Sequence, residues 1–353
     1  MIKTVRRLEY MDIAKGIGIL LMIIGHASGG YKYSEPFSIY IHSFHMPIFF
    51  LISGYLYQNH KDKTMMFIVK KKAMSLMIPY VFFGLGTYVL WLGMQLPEYF
   101  KGTQGSGLLS PLKHLLWINS TGLAISGEFW FLSALFIATI LFEIVNRYIS
   151  NTYIHFVIAL GLGSIGTLWT DVTHVKLPYS MTSAWVGYGF LYIGHMLNIN
   201  KKNVVVNRLL NMNIIELIII FIIFSGSAML NGSVNMRTGY YQNGILFWIN
   251  AVILSLCIIN LAKKLENANG FNIFNKIKRY FALIGRTSIT YVCLNSLYLT
   301  IIAVILNEIF NRSINDPVSL VRVVFSVLCT LIGIFYTDKI IRKTRLRVIL
   351  GIR

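Results

Sequence analysis

The chain has 353 residues, of which 56% are hydrophobic and 13% are charged, and its formal net charge is +19. One water-soluble core cannot hide so much apolar side chain at this length, so the composition excludes an ordinary soluble globular protein. The excess of lysine and arginine is explained by membrane topology and by attraction to anionic lipid, and it requires no nucleic-acid partner.

The apolar stretches predict an all-α polytopic membrane protein with about ten transmembrane helices. A helix needs about 20 apolar residues to cross a bilayer. Such stretches occupy residues 12–29, 39–57, 73–94, 128–147, 153–170, 181–197, 213–230, 244–263, 282–306 and 317–337. No connection between them is long enough for a separate soluble domain, so residues 1–353 are expected to form a single membrane domain. Its long extracytoplasmic loop is expected at residues 95–127, as a flexible connector or a lid.

The distribution of positive charge predicts that both termini lie in the cytoplasm. With this orientation, 23 of the 32 lysine and arginine residues fall in cytoplasmic segments and 7 fall at the outer side. The other two, Lys15 and Arg286, lie within predicted spans. The basic residues 1–10 precede a full-length apolar run without a small-residue cleavage site, so they are expected to be retained. We therefore expect a multi-pass protein of the plasma (inner) membrane.

The first predicted helix carries the ionisable residues that most directly indicate function. Lys15 and His26 are eleven positions apart, so they share one helix face and are separated by about 16 Å. Ionisable side chains at membrane depth are costly and usually functional. His26 could act as a general base toward a hydroxyl or carry an acyl group itself, and the sequence leaves both open. Gly16 and Gly18 predict close packing of this helix against a neighbour.

Two residues near the predicted outer surface are further catalytic candidates. His45 lies near the start of the second span, at a depth similar to that of His26. The two imidazoles could fix each other's tautomer or divide proton transfer and binding, or His45 could simply cap a helix beside Pro47. Glu128 opens the fourth span, where its carboxylate could orient the His26 ring or simply complement the helix dipole. The cysteines match no metal-site spacing, so no metal is expected.

These residues belong to motifs that resemble the acyltransferase-3 family, close to its sugar O-acetyltransferase members. The specific motifs are Asp12-x-x-Lys15-Gly16 with Gly25-His26, and Phe44-His45-Met46-Pro47-Ile48-Phe49-Phe50 with Ser53-Gly54-Tyr55. Weaker matches extend the resemblance over nearly the whole chain, at Lys71-Lys72 before Pro79-Tyr80, Trp130-Phe131-Leu132 and Gly285-Arg286-Thr287-Ser288. The family often has arginine at position 15 and histidine at position 295, where this chain has Lys15 and Asn295.

The resemblance implies a membrane enzyme that moves an acyl group, usually acetyl from cytoplasmic acetyl-CoA, to a sugar hydroxyl at the outer side. The acceptor would be an extracytoplasmic polysaccharide or a lipid-linked glycan. Lys15, Arg286, Lys71 and Lys72 lie near the predicted cytoplasmic mouth, where they could bind the phosphates of CoA. For the lysine pair, an ordinary topology signal explains the charge equally well.

Two other classes of function stay open on the sequence. A transporter or flippase for a small polar solute or a lipid-linked sugar would use Lys15 and His26 for proton coupling or substrate binding. A sensor or assembly component that has lost catalysis would fit the asparagine at position 295. Acyl transfer from acetyl-CoA that depends on His26 distinguishes the enzyme from both.

Overall fold

The computed structural model describes residues 7–28, 34–100, 107–268, 272–310 and 319–352, and the prediction of an all-α membrane protein is confirmed within them. The first eight α-helices are α1 (Glu9–Ala27), α2 (Ser34–His42), α3 (Pro47–Tyr55), α4 (Met65–Lys72), α5 (Ile78–Phe100), α6 (Ser110–Leu116), α7 (Phe129–Tyr148) and α8 (Thr152–Thr173). The next seven are α9 (Met181–Ile199), α10 (Val204–Leu209), α11 (Ile214–Asn231), α12 (Gly244–Asn267), α13 (Asn272–Arg286), α14 (Ser288–Ile309) and α15 (Leu320–Lys343).

Nine helical segments of the described chain are long and apolar enough to cross a membrane. They are Glu9–Ala27, Pro36–Tyr55, Met65–Leu96, Phe129–Tyr148, Thr152–Thr173, Ile214–Asn231, Gly244–Asn267, Ser288–Ile309 and Leu320–Lys343. The remaining predicted span, residues 181–197, is also a helix, α9, but it is less apolar than the others. Most of α9 is buried among other helices. It therefore presents little surface to lipid, and small and polar residues are acceptable along it.

The second predicted span is interrupted at the residues around His45. Helix α2 ends at His42 and α3 begins at Pro47, with a turn over residues 43–46 between them. Proline has no backbone N–H to continue the helical hydrogen bonds, which explains why a new helix begins there. The turn residues are all buried. This fits the rule that irregular backbone at membrane depth is found only inside protein or along a cavity.

The ninth span was predicted at residues 282–306, and this start is earlier than the start of the corresponding helix in the structure. Residues 282–286 belong to the end of α13, and α14 begins only at Ser288. At 15 residues, α13 is too short to cross a bilayer. Arg286, which was expected within a span, therefore lies at the junction of two helices with 43% of its side chain exposed.

The segment predicted as a long loop, residues 95–127, contains helical structure in its described part. Helix α5 continues to Phe100 and α6 follows at Ser110–Leu116, while residues 101–106 lie outside the described residues. Buried Asn119 hydrogen-bonds Tyr80 on α5 at 3.0 Å, Ser133 on α7 at 2.7 Å and Ser180 before α9 at 2.8 Å. These bonds fasten the segment to the ends of three helices.

Glycines let the central helices approach backbone to backbone. A methyl group on Gly194 of α9 would lie 1.9 Å from the carbonyl oxygen of Leu51 on α3. As predicted for Gly16, close packing also joins α1 to its neighbour, since a methyl group there would lie 2.1 Å from the carbonyl oxygen of Phe281 on α13. Neither contact leaves room for a side chain. Small residues between membrane helices usually serve to allow such close approach of two backbones.

Replacing Gly194 with alanine is predicted to lower the free energy of unfolding by at least about 1–3 kcal/mol, because two backbones must move apart. The measurement is thermal unfolding of the purified protein in detergent. Gly86→Ala on α5 is the matched control, since nothing lies within 4 Å of the added methyl group. Equal unfolding midpoints for the two variants would contradict the close helix contact.

Candidate active site

A cavity of about 110 Å³ adjoins the C-terminal end of α1, and we call it the histidine cavity. It lies where α1, the break between α2 and α3, the start of α7 and the turn after α11 meet. Its lining includes His26, His42, His45, Glu128, Trp130 and Arg237. All three residues predicted as catalytic, His26, His45 and Glu128, therefore face one space.

Glu128 contacts His26 directly. Its Oε1 lies 3.2 Å from His26 Nε2 and also accepts a hydrogen bond from Ser296 Oγ on α14. The Glu128 side chain is buried, whereas 32% of the His26 side chain is exposed. A neutral imidazole that donates its Nε2 proton to a carboxylate keeps Nδ1 as its basic nitrogen. The carboxylate also stabilises the imidazolium that forms when Nδ1 takes up a proton.

Two more imidazoles line the histidine cavity. His45 Nδ1 donates to the carbonyl oxygen of Ile41 at 2.9 Å, and His42 Nδ1 donates to that of Ser38 at 2.7 Å. The two rings meet edge to face with their centroids 4.9 Å apart. Because a carbonyl only accepts, each neutral ring carries its proton on Nδ1 and its lone pair on Nε2. Separate partners thus set the tautomers of His26 and His45.

A second pocket, of about 510 Å³, adjoins the N-terminal end of α1, and we call it the basic pocket. Its lining includes Arg7, Asp12, Lys15, Tyr55, Tyr57 and Lys201. Lys15 here and His26 in the histidine cavity are eleven positions apart on one unbroken helix, a distance of about 16 Å. The first helix therefore carries one pocket at each end.

Buried Asp12 organises the cations of the basic pocket. Lys15 Nζ lies 2.8 Å from its Oδ1, while Arg7 Nε and Arg286 Nε lie 2.5 and 3.4 Å from its Oδ2. The hydrogen bond to Asp12 raises the pKa of Arg7 above its ordinary value. The sequence motif contained Asp12, but sequence reasoning gave it no role. Glu9 also contacts Arg286, so two carboxylates face three cations and a net positive charge remains in this cluster.

The four cations predicted to bind phosphate do not all converge. Lys15 and Arg286 meet at Asp12, and Arg286 Nη2 also lies 3.4 Å from Glu9. Lys71 and Lys72 end α4, and neither they nor Arg286 are part of the lining of the basic pocket in the described chain. Lys72 interacts electrostatically with Glu143 on α7. The structure thus brings together two of the four predicted cations, Lys15 and Arg286, around Asp12.

Arg237 is a cavity residue that sequence reasoning missed. It lies between α11 and α12, and its Nε donates to the carbonyl oxygen of Ser120 at 2.8 Å. Its guanidinium packs against Gly127, next to Glu128. In the predicted topology, Arg237 is one of the seven lysine and arginine residues at the outer side, and it was given no other role. No local signal pairs residue 237 with residue 127, because tertiary packing alone joins them.

Asn295, the second departure from the family pattern, lies fully buried on α14 beside Ser296. Its amide nitrogen donates to the carbonyl oxygens of Tyr291 at 3.1 Å and Val292 at 2.9 Å. Its Oδ1 has no hydrogen-bond partner among the described residues. The next residue, Ser296, is the one that donates a hydrogen bond to Glu128.

The described residues contain no group of three or more His, Cys, Asp or Glu side chains that could hold a metal ion. The expectation that no metal is bound stays a prediction. Cys257 and Cys293 are buried free thiols, and Cys329 is partly buried. None of the three lines either of the two pockets described above.

The described chain thus combines a helical membrane fold with a histidine–carboxylate pair inside a cavity. The chain belongs to the acyltransferase-3 family, since the family profile, described as an acyltransferase domain, matches residues 8–339. The chain is thus an all-α, multi-pass membrane member of this family.

One curated relative is the nodulation protein NolL of Mesorhizobium japonicum. It is 31% identical to this chain over 146 residues. The match covers 39% of this chain and only 35% of the length of NolL. No solved structure is significantly similar to the chain.

Asp12→Asn is predicted to lower the free energy of unfolding by about 1–3 kcal/mol, because a neutral amide no longer balances three clustered cations. Thermal unfolding in detergent measures the change. Asp62→Asn is the matched control, since Asp62 is exposed and pairs only with Lys63 at 3.2 Å among the described residues. Its unfolding midpoint should stay at the wild-type value. A loss in the control as large as in Asp12→Asn would contradict the organising role of Asp12.

Proposed function

We propose that the protein transfers an acetyl group from cytoplasmic acetyl-CoA to a sugar hydroxyl of an extracytoplasmic polysaccharide or lipid-linked glycan, in the plasma (inner) membrane. The contact of His26 with Glu128 inside the histidine cavity carries this proposal. A thioester is already activated, so the enzyme must mainly orient the hydroxyl, remove its proton and stabilise the oxyanion. Membership of an acyltransferase family favours this chemistry over the transporter or flippase that the sequence left open.

The composition of the two pockets supports the proposed orientation. The basic pocket is built from residues at 7–15, 55–58 and 198–201, which the sequence assigns to the cytoplasmic side. The histidine cavity takes residues 127–130 and 235–237 from segments assigned to the outer side. Each pocket is thus built from segments that lie on the same side of the membrane when successive spans run in opposite directions. The excess of positive charge then favours the cytoplasm for the basic pocket and for both termini.

The basic pocket is the proposed site of the CoA head group. CoA carries several phosphate charges, and moving them into hydrocarbon is costly, so the head group stays at the membrane surface. Lys15 lines this pocket, and Arg286, which lies outside its lining, contacts the same Asp12. Lys71 and Lys72 are proposed to contribute at the same side, outside the pocket itself. The acyl end of the donor would extend along α1 toward His26.

In the proposed reaction, His26 Nδ1 takes the proton of the acceptor hydroxyl as its oxygen attacks the acyl carbonyl carbon. The carbonyl π electrons move onto oxygen and form a tetrahedral oxyanion. Its collapse breaks the C–S bond, and the leaving thiolate takes the proton from His26. An alternative with the same residues has His26 attack the thioester and carry the acyl group before transfer. Glu128 orients the imidazole in both routes.

His26→Ala is predicted to lower the rate of acetyl transfer by about 10²–10⁴-fold, because the general base is lost. The assay uses the full chain in lipid nanodiscs, radiolabelled acetyl-CoA and glycans from the cell envelope, with the expression level measured in parallel. His174→Asn is the control, since His174 is exposed, has φ 56° and follows α8, and asparagine tolerates this conformation. Undiminished transfer by His26→Ala would overturn the proposal. Solute movement that needs no acyl donor would support the transporter instead.

Lys15→Gln is predicted to raise the KM for acetyl-CoA about tenfold with kcat little changed, because one charge-assisted hydrogen bond to phosphate is lost. Lys15→Arg should retain or lower the KM, since arginine keeps the charge and binds phosphate with two donors. Lys71→Gln and Lys72→Gln test the other two proposed contacts in the same assay. A KM unchanged in Lys15→Gln would show that the head group binds elsewhere.

A further inference from the structure

We propose that Arg237 is a further catalytic residue, which binds the oxyanion formed during acyl transfer in the histidine cavity. The inference rests on the proposed function, because the oxyanion arises only if an acyl group is transferred there. It concerns a residue with no assigned role, on a connection far in sequence from the histidine and carboxylate motifs.

The backbone around Arg237 is held on both sides. Asn235 N donates to the carbonyl oxygen of Tyr240 at 2.7 Å and closes a turn. Ser183 Oγ on α9 donates to the carbonyl oxygen of Met236 at 2.7 Å and fastens the turn to the helix bundle. Arg237 is thus presented from a fixed turn, as preorganised stabilisation of a transition state requires.

The guanidinium itself is fixed over a glycine. Its Nε donates to the carbonyl oxygen of Ser120 at 2.8 Å. A methyl group on Gly127 would lie 2.0 Å from Nη1 of Arg237, so the missing side chain at position 127 makes the space that the guanidinium fills. Gly127 immediately precedes Glu128. The same stretch of backbone therefore seats the cation and presents the carboxylate that holds His26.

Arg237 keeps donors for a ligand. Among the described residues, no carboxylate lies within 4 Å of its guanidinium, and Glu128 acts on it only over a longer distance. The closest ionic contact of Glu128 is with His26. With Nε bound to Ser120, the two terminal amino groups are the donors that a bound oxygen anion can use.

The balance of charge in the cavity indicates which anion Arg237 binds. It favours an anion that forms during the reaction over an anionic group already present on the acceptor. Before reaction, the negative charge of Glu128 offsets the positive charge of Arg237 in the cavity. When His26 takes the hydroxyl proton, Glu128 pairs with the new imidazolium. Arg237 is then left to pair with the oxyanion that forms at the same moment. The stabilisation is therefore larger in the transition state than in the ground state, which raises kcat.

The histidine cavity places these groups around one space. Its volume of about 110 Å³ admits an acetyl group, and His26 and Arg237 both line it. As the hydroxyl oxygen bonds to the carbonyl carbon, the carbonyl oxygen gains the electron pair and faces Arg237, while the proton moves to His26. As the C–O double bond re-forms, the C–S bond breaks and the thiolate takes the proton. The acyl thioester and the hydroxyl thus balance the step without another reactant.

Arg237→Gln is predicted to lower kcat for acetyl transfer by about 10²–10³-fold, as expected for loss of one oxyanion donor. The KM values for acetyl-CoA and for the envelope glycan should change by less than about threefold, because ground-state binding is kept. Arg237→Lys should lose most of the same rate, since lysine keeps the charge but not the planar fork.

Gly127→Ala tests the same idea without removing the cation, because the methyl group must displace the guanidinium. It should also lower kcat, whereas the matched Gly226→Ala on α11, with nothing within 4 Å of its methyl group, should retain wild-type kcat. Thermal unfolding of every variant is measured in parallel. If Arg237→Gln does not fold, Arg237→Lys and Gly127→Ala decide the matter.

The inference is overturned if folded Arg237→Gln and Arg237→Lys keep wild-type kcat, or if only the KM for an anionic acceptor rises. A fall in unfolding midpoint with unchanged kcat would also overturn it, because Arg237 would then be a structural anchor alone. Failure of the proposed function itself would give different results. Wild-type protein would then transfer no acetyl group, or His26→Ala would transfer it as fast as wild type.

Discussion

The contact between His26 and Glu128 is the interaction on which the site depends. A buried carboxylate loses hydration worth several kcal/mol, so it is stable there only with partners. His26 from α1 and Ser296 from α14 supply them at the N-terminal end of α7. Three helices far apart in sequence must therefore meet before the imidazole is oriented. The site is a product of the bundle and not of any single motif.

Helix α1 links this contact to the other end of the site. Its N-terminal part is held by Asp12 and its cations, and by a backbone contact in which a methyl group on Gly285 of α13 would lie 1.8 Å from the Asp12 carbonyl oxygen. Lys15 and His26 are thus fixed along one rigid helix about 16 Å apart. A donor whose charged head stays at one membrane surface must span that distance to react at the other end.

Sequence reasoning predicted what depends on local pattern and membrane depth. The helical spans follow from hydropathy, and the similar depth of Glu128 and His26 in their spans made their contact one of two readings of Glu128. The break at residues 43–46 was missed because an apolar window merges two short helices into one span. The break at Thr287 was missed because the apolar end of α13 runs directly into the apolar helix α14. Arg237 was missed because its contact with Gly127 joins residues more than 100 positions apart. A positive charge on an outer loop carries no local sign of that contact.

An experimental structure with a non-hydrolysable acetyl-CoA analogue would test the central claim most directly. The account predicts the phosphates of the analogue at the basic pocket beside Lys15, and its carbonyl in the histidine cavity within reach of His26 Nδ1. A donor bound elsewhere, or a His26 ring turned toward lipid and away from Glu128, would contradict it.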